Sequence, residues 1–178
     1  MINQCGIFIG RFNPFHNGHL QVIKQIVAKG DSLIVAIGST QESHTFKNPF
    51  TAGERILMIH QSLIEANLPI SKIIITLVPD IHRYSIWVKH LQSYSPPFNY
   101  AITNNKLTKR LFVEAGITVK PIGPFNRSEL NGTKIRQLMF EGIQWKELVP
   151  PAVTKIIESI DGVSRIRSIS DSNFAANK

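Results

Sequence analysis

The sequence predicts a doubly wound α/β fold, a parallel sheet held in three layers between helices. Three observations predict it. Apolar runs rich in β-branched residues recur at 5–10, 32–38, 72–78, 99–103 and 117–122, and they are apolar nearly throughout. Strands covered on both faces read this way, whereas half-exposed strands alternate. Longer segments with helical periodicity stand between them, at 17–29, 53–66, 84–94 and 106–115, and repeated βα alternation is the pattern of a doubly wound sheet. The polar residues with chemical character follow the ends of the apolar runs, where open α/β sheets gather their ligand-binding loops.

Each element has its own signals. CGIFIG (5–10) is the first strand, and the loop RFNPFHNGH leads from it into the first helix. Gly30 with Asp31 closes that helix, and SLIVAIG (32–38) is the second strand. Thr51 with Glu54 has the spacing of a capping box and opens the second helix. KIIITLV (72–78) precedes the third helix, NYAIT (99–103) the fourth, and Gly116 ends the fourth as a C-cap before ITVKPI (117–122). Beyond Pro121 the strand periodicity stops. The segment 123–142 reads as a loop, 151–160 as a terminal helix, and the polar, aperiodic stretch 168–178 as a frayed tail. The expected organisation is a single domain over 1–167 followed by that tail, with no internal repeat.

Composition bounds the function. A chain of 178 residues that is 43% hydrophobic is large enough for one domain with a real core. The formal net charge of +8 points to an anionic partner: nucleic acid, a membrane surface or a phosphorylated small molecule. Cys5 is the single cysteine. It excludes an intramolecular disulfide and a cysteine-built zinc site, fits core packing, and suits a reducing cytoplasm. The sequence shows neither a signal-peptide pattern nor an apolar run of roughly 18 residues, so a soluble cytoplasmic protein without a membrane contact is expected.

The loop after the first strand carries the strongest chemistry. Gly10 permits close backbone approach at the strand end, Pro14 stiffens the turn, and Gly18 leaves room for a phosphate at the helix N-terminus. His16 and His19 are three residues apart, so their side chains can converge on one anion. With Arg11 and the helix dipole they form a polyphosphate cradle. The Lys-Ser/Thr of a Walker loop and the G-x-G-x-x-G fingerprint are both missing. Zinc is disfavoured because H-x-x-H has no third ligand in obvious register.

GRFNPFHNGH resembles the H-x-G-H signature of the nucleotidyltransferase superfamily, and NGTKIR (131–136) resembles its second signature. With ESHTFKNPFTAGER (42–55), PDIHRYSIWVKH (79–90), PPFNYAITNN (96–105) and KELVPPAV (146–153), the chain resembles the archaeal-type nicotinamide mononucleotide adenylyltransferases over residues 6 to 167. The resemblance implies a Rossmann-like nucleotidyltransferase fold. It also implies attack by the 5′-phosphate of nicotinamide mononucleotide (NMN) on the α-phosphorus of ATP, giving NAD and pyrophosphate. Magnesium is expected to arrive with ATP, with no dedicated protein ligands, and homo-oligomers, often hexamers, are expected from the family.

The resemblance also implies roles. Ile9, Gly10, Arg11, Phe12, His16, Gly18, His19, Gly132, Thr133 and Arg136 fall on ATP-binding positions, with Thr133 at a helix N-terminus. His16, His19, Arg11 and Arg136 carry catalysis. Arg11 also falls on the NMN side, with Ser39, Lys47, Asp80, Ile81, Tyr84, Trp87, Asn104 and Phe125. Trp87, three residues after Tyr84, is suited to stack on a pyridinium ring. Asp80 and the backbone near Ile81 are suited to the carboxamide, and Phe125 to covering the ring. The chain departs from the family's pattern at Lys47 and Tyr84, where arginine and asparagine are common. Two alternatives stay open. One is another adenylyl or cytidylyl transferase with a phosphopantetheine, flavin or phospho-alcohol acceptor, since H-x-G-H does not fix the acceptor. The other is a nucleic-acid-binding module, against which stands the lack of any basic run or recognition motif.

Overall fold

The computed structural model describes residues 4–121 and 131–175, with side chains as far as residue 169. The chain divides into two compact units. The first comprises Met1–Gly10, Val22–Thr40 and Leu68–Pro124, and the second Arg11–Gln21, Gln41–Asn67 and Phe125–Lys178.

The first unit holds the sheet. Its strands are β1 (Cys5–Gly10), β2 (Ser32–Ile37), β3 (Ile73–Leu77), β4 (Tyr100–Ile102) and β5 (Thr118–Lys120). All pairings are parallel, in the order β3-β2-β1-β4-β5. In register, Phe8 stands opposite Val35 on one side and Ile102 on the other. The order reverses between β1 and β4, the switch point at which such sheets take ligands. Ile7, Ile34 and Ala36 are fully buried, as the continuous apolar runs require of central strands. The edge strand β3 leaves Ile74 48% exposed, since it lacks a neighbour on one side. The helices α3 (Trp87–Ser93) and α4 (Lys106–Glu114) add Val88, Leu91 and Phe112 to the same core. Gly6 is required here, because a Cβ would lie 2.7 Å from the Tyr100 ring.

Four further helices precede the C-terminal one. Helix α1 (Asn17–Ala28) follows the opening loop, and Gly30 at φ 90° closes it as predicted. Helix α2 (Ala52–Glu65) begins with the predicted capping box, both halves of which form: the Thr51 Oγ1 accepts from the Glu54 N–H at 3.2 Å, and the Glu54 carboxylate accepts from the Thr51 N–H at 2.8 Å. The other two are α5 (Gly132–Glu141) and α6 (Pro151–Ser159). The predicted helix over 84–94 begins as a 3₁₀ turn at Tyr84–Ile86 and becomes α-helical only at Trp87.

Two expectations are corrected. Residues 132–141, inside the segment read as a loop, are helical. Asn131 caps the Lys134 N–H at 2.8 Å, Ile135 and Met139 are buried one turn apart, and Gly142 ends the helix in the left-handed region at φ 73°. These are ordinary helix start and stop signals. The tail read as frayed from 168 is the continuation of a seventh helix, α7 (Gly162–Ala175). Its Ile166 is fully buried, and its first residue must be small, because a Cβ on Gly162 would sit 2.9 Å from the Phe50 ring. Tertiary contact holds a segment whose composition alone would not hold it. Among the described residues, no helix is long and apolar enough to cross a membrane.

Candidate active site

In the second unit the chain enters at Arg11, directly after the last residue of β1. Phe12 takes φ 51° and the Asn13–Pro14 peptide is cis. A left-handed phenylalanine is uncommon, and strained backbone of this kind gathers where a loop must aim its side chains. Phe12 and Phe15 are buried and flank the histidines: the Phe12 ring meets His19 edge-on at 4.7 Å, and Phe15 stacks on it at 5.5 Å.

The H-x-G-H spacing has a local explanation. The His16 carbonyl accepts from the N–H groups of His19 and Leu20 at 2.9 and 3.2 Å, so His16 is the residue on which α1 starts. His19 is then the third helical residue, where a capping box places Glu or Gln. It does the same work, its Nδ1 accepting the His16 backbone N–H at 3.3 Å. An Nδ1 that accepts leaves the ring proton on Nε2, so His19 presents an Nε2–H donor. The two rings stack with centroids 3.5 Å apart.

Burial makes both imidazoles neutral. His16 is 5% exposed, and desolvation lowers its pKa to about 4. His19 is lowered well below the usual range by desolvation and then by His16. They therefore act as hydrogen-bonding groups, not as fixed cations. The His16 Nδ1 is buried without a hydrogen-bond partner among the described residues, and such an atom is costly unless something satisfies it.

The distant second segment is tied to this loop. Arg136 is 4% exposed and donates through Nη1 to the Asn13 carbonyl at 2.8 Å, through Nε to the Phe46 carbonyl at 2.8 Å and through Nη2 to the Thr133 Oγ1 at 3.2 Å. Burial, and then the charge on Arg11, lower its pKa to about 10, so it stays cationic. Gly132 fits closely beside it: a Cβ there would lie 3.2 Å from the Arg136 Nη1 and 3.3 Å from the Asn13 carbonyl oxygen, tighter than ordinary contact. Thr133 is exposed at the start of α5, with its hydroxyl toward Arg136.

A third segment, 46–55, touches both. The Asn48 Oδ1 accepts from the Arg11 Nη1 at 3.4 Å. Asn13 bridges to Phe50, its Oδ1 accepting from the Phe50 N–H at 3.1 Å and its Nδ2 donating to the Phe50 carbonyl at 3.5 Å. Arg55, fully buried, donates to the carbonyls of Arg11, Glu42 and Thr51 at 3.1 to 3.4 Å. The sequence reading missed Asn13, Asn48 and Arg55. Local pattern gives them no signal, because an Asn in a loop and an Arg in an amphipathic helix are unremarkable until their partners are known. Lys47, in the same segment, is exposed.

Gly18 is buried in the first turn of α1, in the second unit, and the remaining described site residues expected from the sequence lie in the first unit. Ile9 and Gly10 end β1, Ser39 is 8% exposed with φ 51°, and Asn104 follows β4. In the loop after β3, Asp80 is exposed, Ile81 is half-buried and Tyr84 is 61% exposed. His90, one turn into α3, donates through Nε2 to the Pro79 carbonyl at 2.7 Å and so pins this loop to its helix. Trp87 is half-buried and meets Phe112 edge-on at 5.5 Å. Core packing thus accounts for part of the indole. Phe125 lies outside the described residues.

Comparison with known proteins places these segments in a wider set. The Cytidylyltransferase-like family matches residues 7–138, more than half of the chain. Nicotinamide-nucleotide adenylyltransferase from Picrophilus torridus is 48% identical over 165 residues, covering 93% of this chain and 96% of that protein. The enzyme of the same name from Archaeoglobus fulgidus is 48% identical over 170 residues, covering 94% and 98%. Among solved structures, a bifunctional NMN adenylyltransferase/ADP ribose pyrophosphatase from Francisella tularensis superposes with a TM-score of 0.76 at 21% identity. The match covers 99% of this chain and 55% of that one, a likeness of fold.

Proposed function

The chain belongs to the cytidylyltransferase-like family, among its nicotinamide-nucleotide adenylyltransferases, and from that premise we propose how its residues transfer AMP from ATP to NMN. An oxygen of the NMN 5′-phosphate attacks the α-phosphorus of ATP, the bond from that phosphorus to the bridging oxygen breaks, and pyrophosphate leaves with the bonding electrons. Nucleophile and leaving group are both anionic already. No general base is required, and the protein's task is alignment and charge stabilisation.

The roles follow from the chemistry of each group. The His19 Nε2–H and the N-terminus of α1 meet the α-phosphate, where charge grows in the transition state. His16, with its buried unpartnered Nδ1, serves the neighbouring phosphate. A neutral imidazole suits this work because it donates without holding the pyrophosphate as an ion pair would. Arg136 and Thr133 face the β- and γ-phosphates, and Arg11 holds the NMN phosphate, its planar fork matched to phosphate oxygens. Ile9, Gly10, Phe12, Gly18 and Gly132 form the backbone around ATP. Trp87 stacks on the pyridinium, with Asp80 and Ile81 on the carboxamide and Ser39, Lys47, Tyr84 and Asn104 lining the NMN side. Magnesium would accompany ATP as its counter-ion and supply charge neutralisation at the phosphates.

The observation that carries this reading is the meeting of two phosphate-type segments, Arg11–His19 and Gly132–Arg136, through the 2.8 Å bond from Arg136 to Asn13. The test is direct. Purified protein given ATP, Mg²⁺ and NMN is expected to release NAD and pyrophosphate in equal amounts, and chelation of the metal is expected to stop turnover. Adenylylation of a different phosphorylated acceptor, with none of NMN, would overturn it.

A further inference from the structure

Helix α7 carries two arginines that reach two different parts of the site's scaffold. Arg165 forms a fork on Glu54, with Nη1 to Oε2 at 2.7 Å and Nη2 to Oε1 at 2.9 Å, and its Nη1 also donates to the Pro49 carbonyl at 3.2 Å. Both side chains are about four-fifths shielded from solvent. Arg167 donates to the Phe140 carbonyl at 3.1 Å, near the C-terminus of α5, where a cation is favoured by the helix dipole. One helix therefore holds α5, which bears Thr133 and Arg136, and also holds the end of the 46–55 segment.

That segment touches the site three times: Phe46 receives Arg136, Asn48 receives Arg11, and Phe50 is bonded to Asn13. Its exit is the Glu54 capping box, and the carboxylate oxygen that takes the Thr51 N–H at 2.8 Å also takes the Arg165 Nη1. Bidentate arginine–carboxylate pairs fix geometry as well as adding energy. We propose that Arg165 is a positioning residue for adenylyl transfer: by clamping Glu54 and Pro49 it sets the 46–51 segment, and through Asn48 and Phe46 it sets Arg11 and Arg136. This inference rests on the transferase reading. Arg165 touches no substrate in it.

The experiment compares Arg165→Met, which keeps length and apolar packing, with Arg165→Lys, which keeps the charge but not the fork. Kinetics with Mg-ATP and NMN are read together with amide exchange over 46–51. Arg165→Met is expected to lose about tenfold in kcat with KM for both substrates within about threefold, as misalignment predicts. Exchange at Asn48 and Phe50 is expected to quicken while the strands stay protected, and Arg165→Lys is expected to fall between. Wild-type kcat per folded molecule in Arg165→Met would overturn the proposal. So would a rise in KM alone, or a loss of activity equal to the loss of folded protein. If wild-type protein makes no NAD, the transferase reading fails instead, and exchange over 46–51 still decides whether Arg165 sets that segment.

Discussion

Arg136 donates to the Asn13 carbonyl at 2.8 Å across 123 residues of sequence. The bond joins the helix that carries the second signature to the loop of the first. Three donors of one guanidinium are fixed at once, on Asn13, Phe46 and Thr133, and the ammonium of a lysine cannot reproduce that planar fork. Arg136→Lys is expected to leave a buried carbonyl unsatisfied and lower stability by about 2 kcal/mol, read as a shifted urea midpoint, and to lower kcat more than tenfold. Gly132→Ala, which pushes a methyl into the same guanidinium, is expected to reproduce the kinetic loss with the arginine still present.

His19 has two separable jobs, and two substitutions divide them. In His19→Asn the amide can replace the ring Nδ1 and still accept the His16 N–H, but nothing replaces Nε2. In His19→Gln one amide has to serve both jobs: turned back it caps, as Gln does in a capping box, and turned out it reaches the Nε2 position without capping. His19→Asn is therefore expected to fold close to wild type and lose about a hundredfold or more in kcat, while His19→Gln keeps more turnover and loses part of the cap's stability. Melting curves and steady-state rates on the same preparations check the split. His19 is half-buried and stacked on His16 and Phe15, so His19→Ala would mix the two effects.

His16 makes stability pH-dependent. Its folded pKa of about 4 lies below the ordinary 6.5, so between those values the unfolded chain binds more protons and stability falls as pH falls. The loss begins near pH 6.5 and reaches about 3 kcal/mol by pH 4. Glu54, whose carboxyl is raised by burial but held low overall by Arg165 and Thr51, adds a loss of the same sign below its ordinary range. Urea midpoints at pH 7 and pH 4.5 are expected to move less in His16→Asn than in wild type. Equal shifts in the two proteins would remove His16 from the effect.

Trp87 is expected to govern NMN affinity more than the chemical step. Trp87→Ala removes both the stacking face and the contact with Phe112, and is expected to raise the KM for NMN about tenfold with kcat and the KM for ATP less affected. Trp87→Phe keeps a smaller ring and is expected to fall between. Equal rises in both KM values would assign Trp87 to packing alone.

How much of this was legible in the sequence depends on the reach of each signal. The five strands lie within two residues of their apolar runs, and Thr51, Glu54, Gly30 and Gly116 act as their spacing indicated, because strand burial and helix caps are set by residues a few positions apart. The H-x-G-H pair is of the same kind, since the start of a helix brings residues 16 and 19 together. The segment of α5 reads as a loop by periodicity, although Asn131 and Gly142 mark the ends of a helix and the family resemblance puts Thr133 at a helix N-terminus. Helix α7 had no comparable signal, its polar composition being stabilised by Arg165, Ile166 and the close packing of Gly162.

What the sequence by itself determined is the order of strands and helices and the place of a phosphate-binding loop after the first strand, both consequences of local periodicity and short-range hydrogen bonding. Only the tertiary structure decided that Arg136 is anchored on Asn13 and Phe46, that Asn48 holds Arg11, and that Arg165 clamps Glu54. Those bonds join residues 37 to 123 positions apart, and a buried guanidinium takes whichever carbonyl or carboxylate the folded chain brings within 3 Å, a choice that no spacing along the chain records.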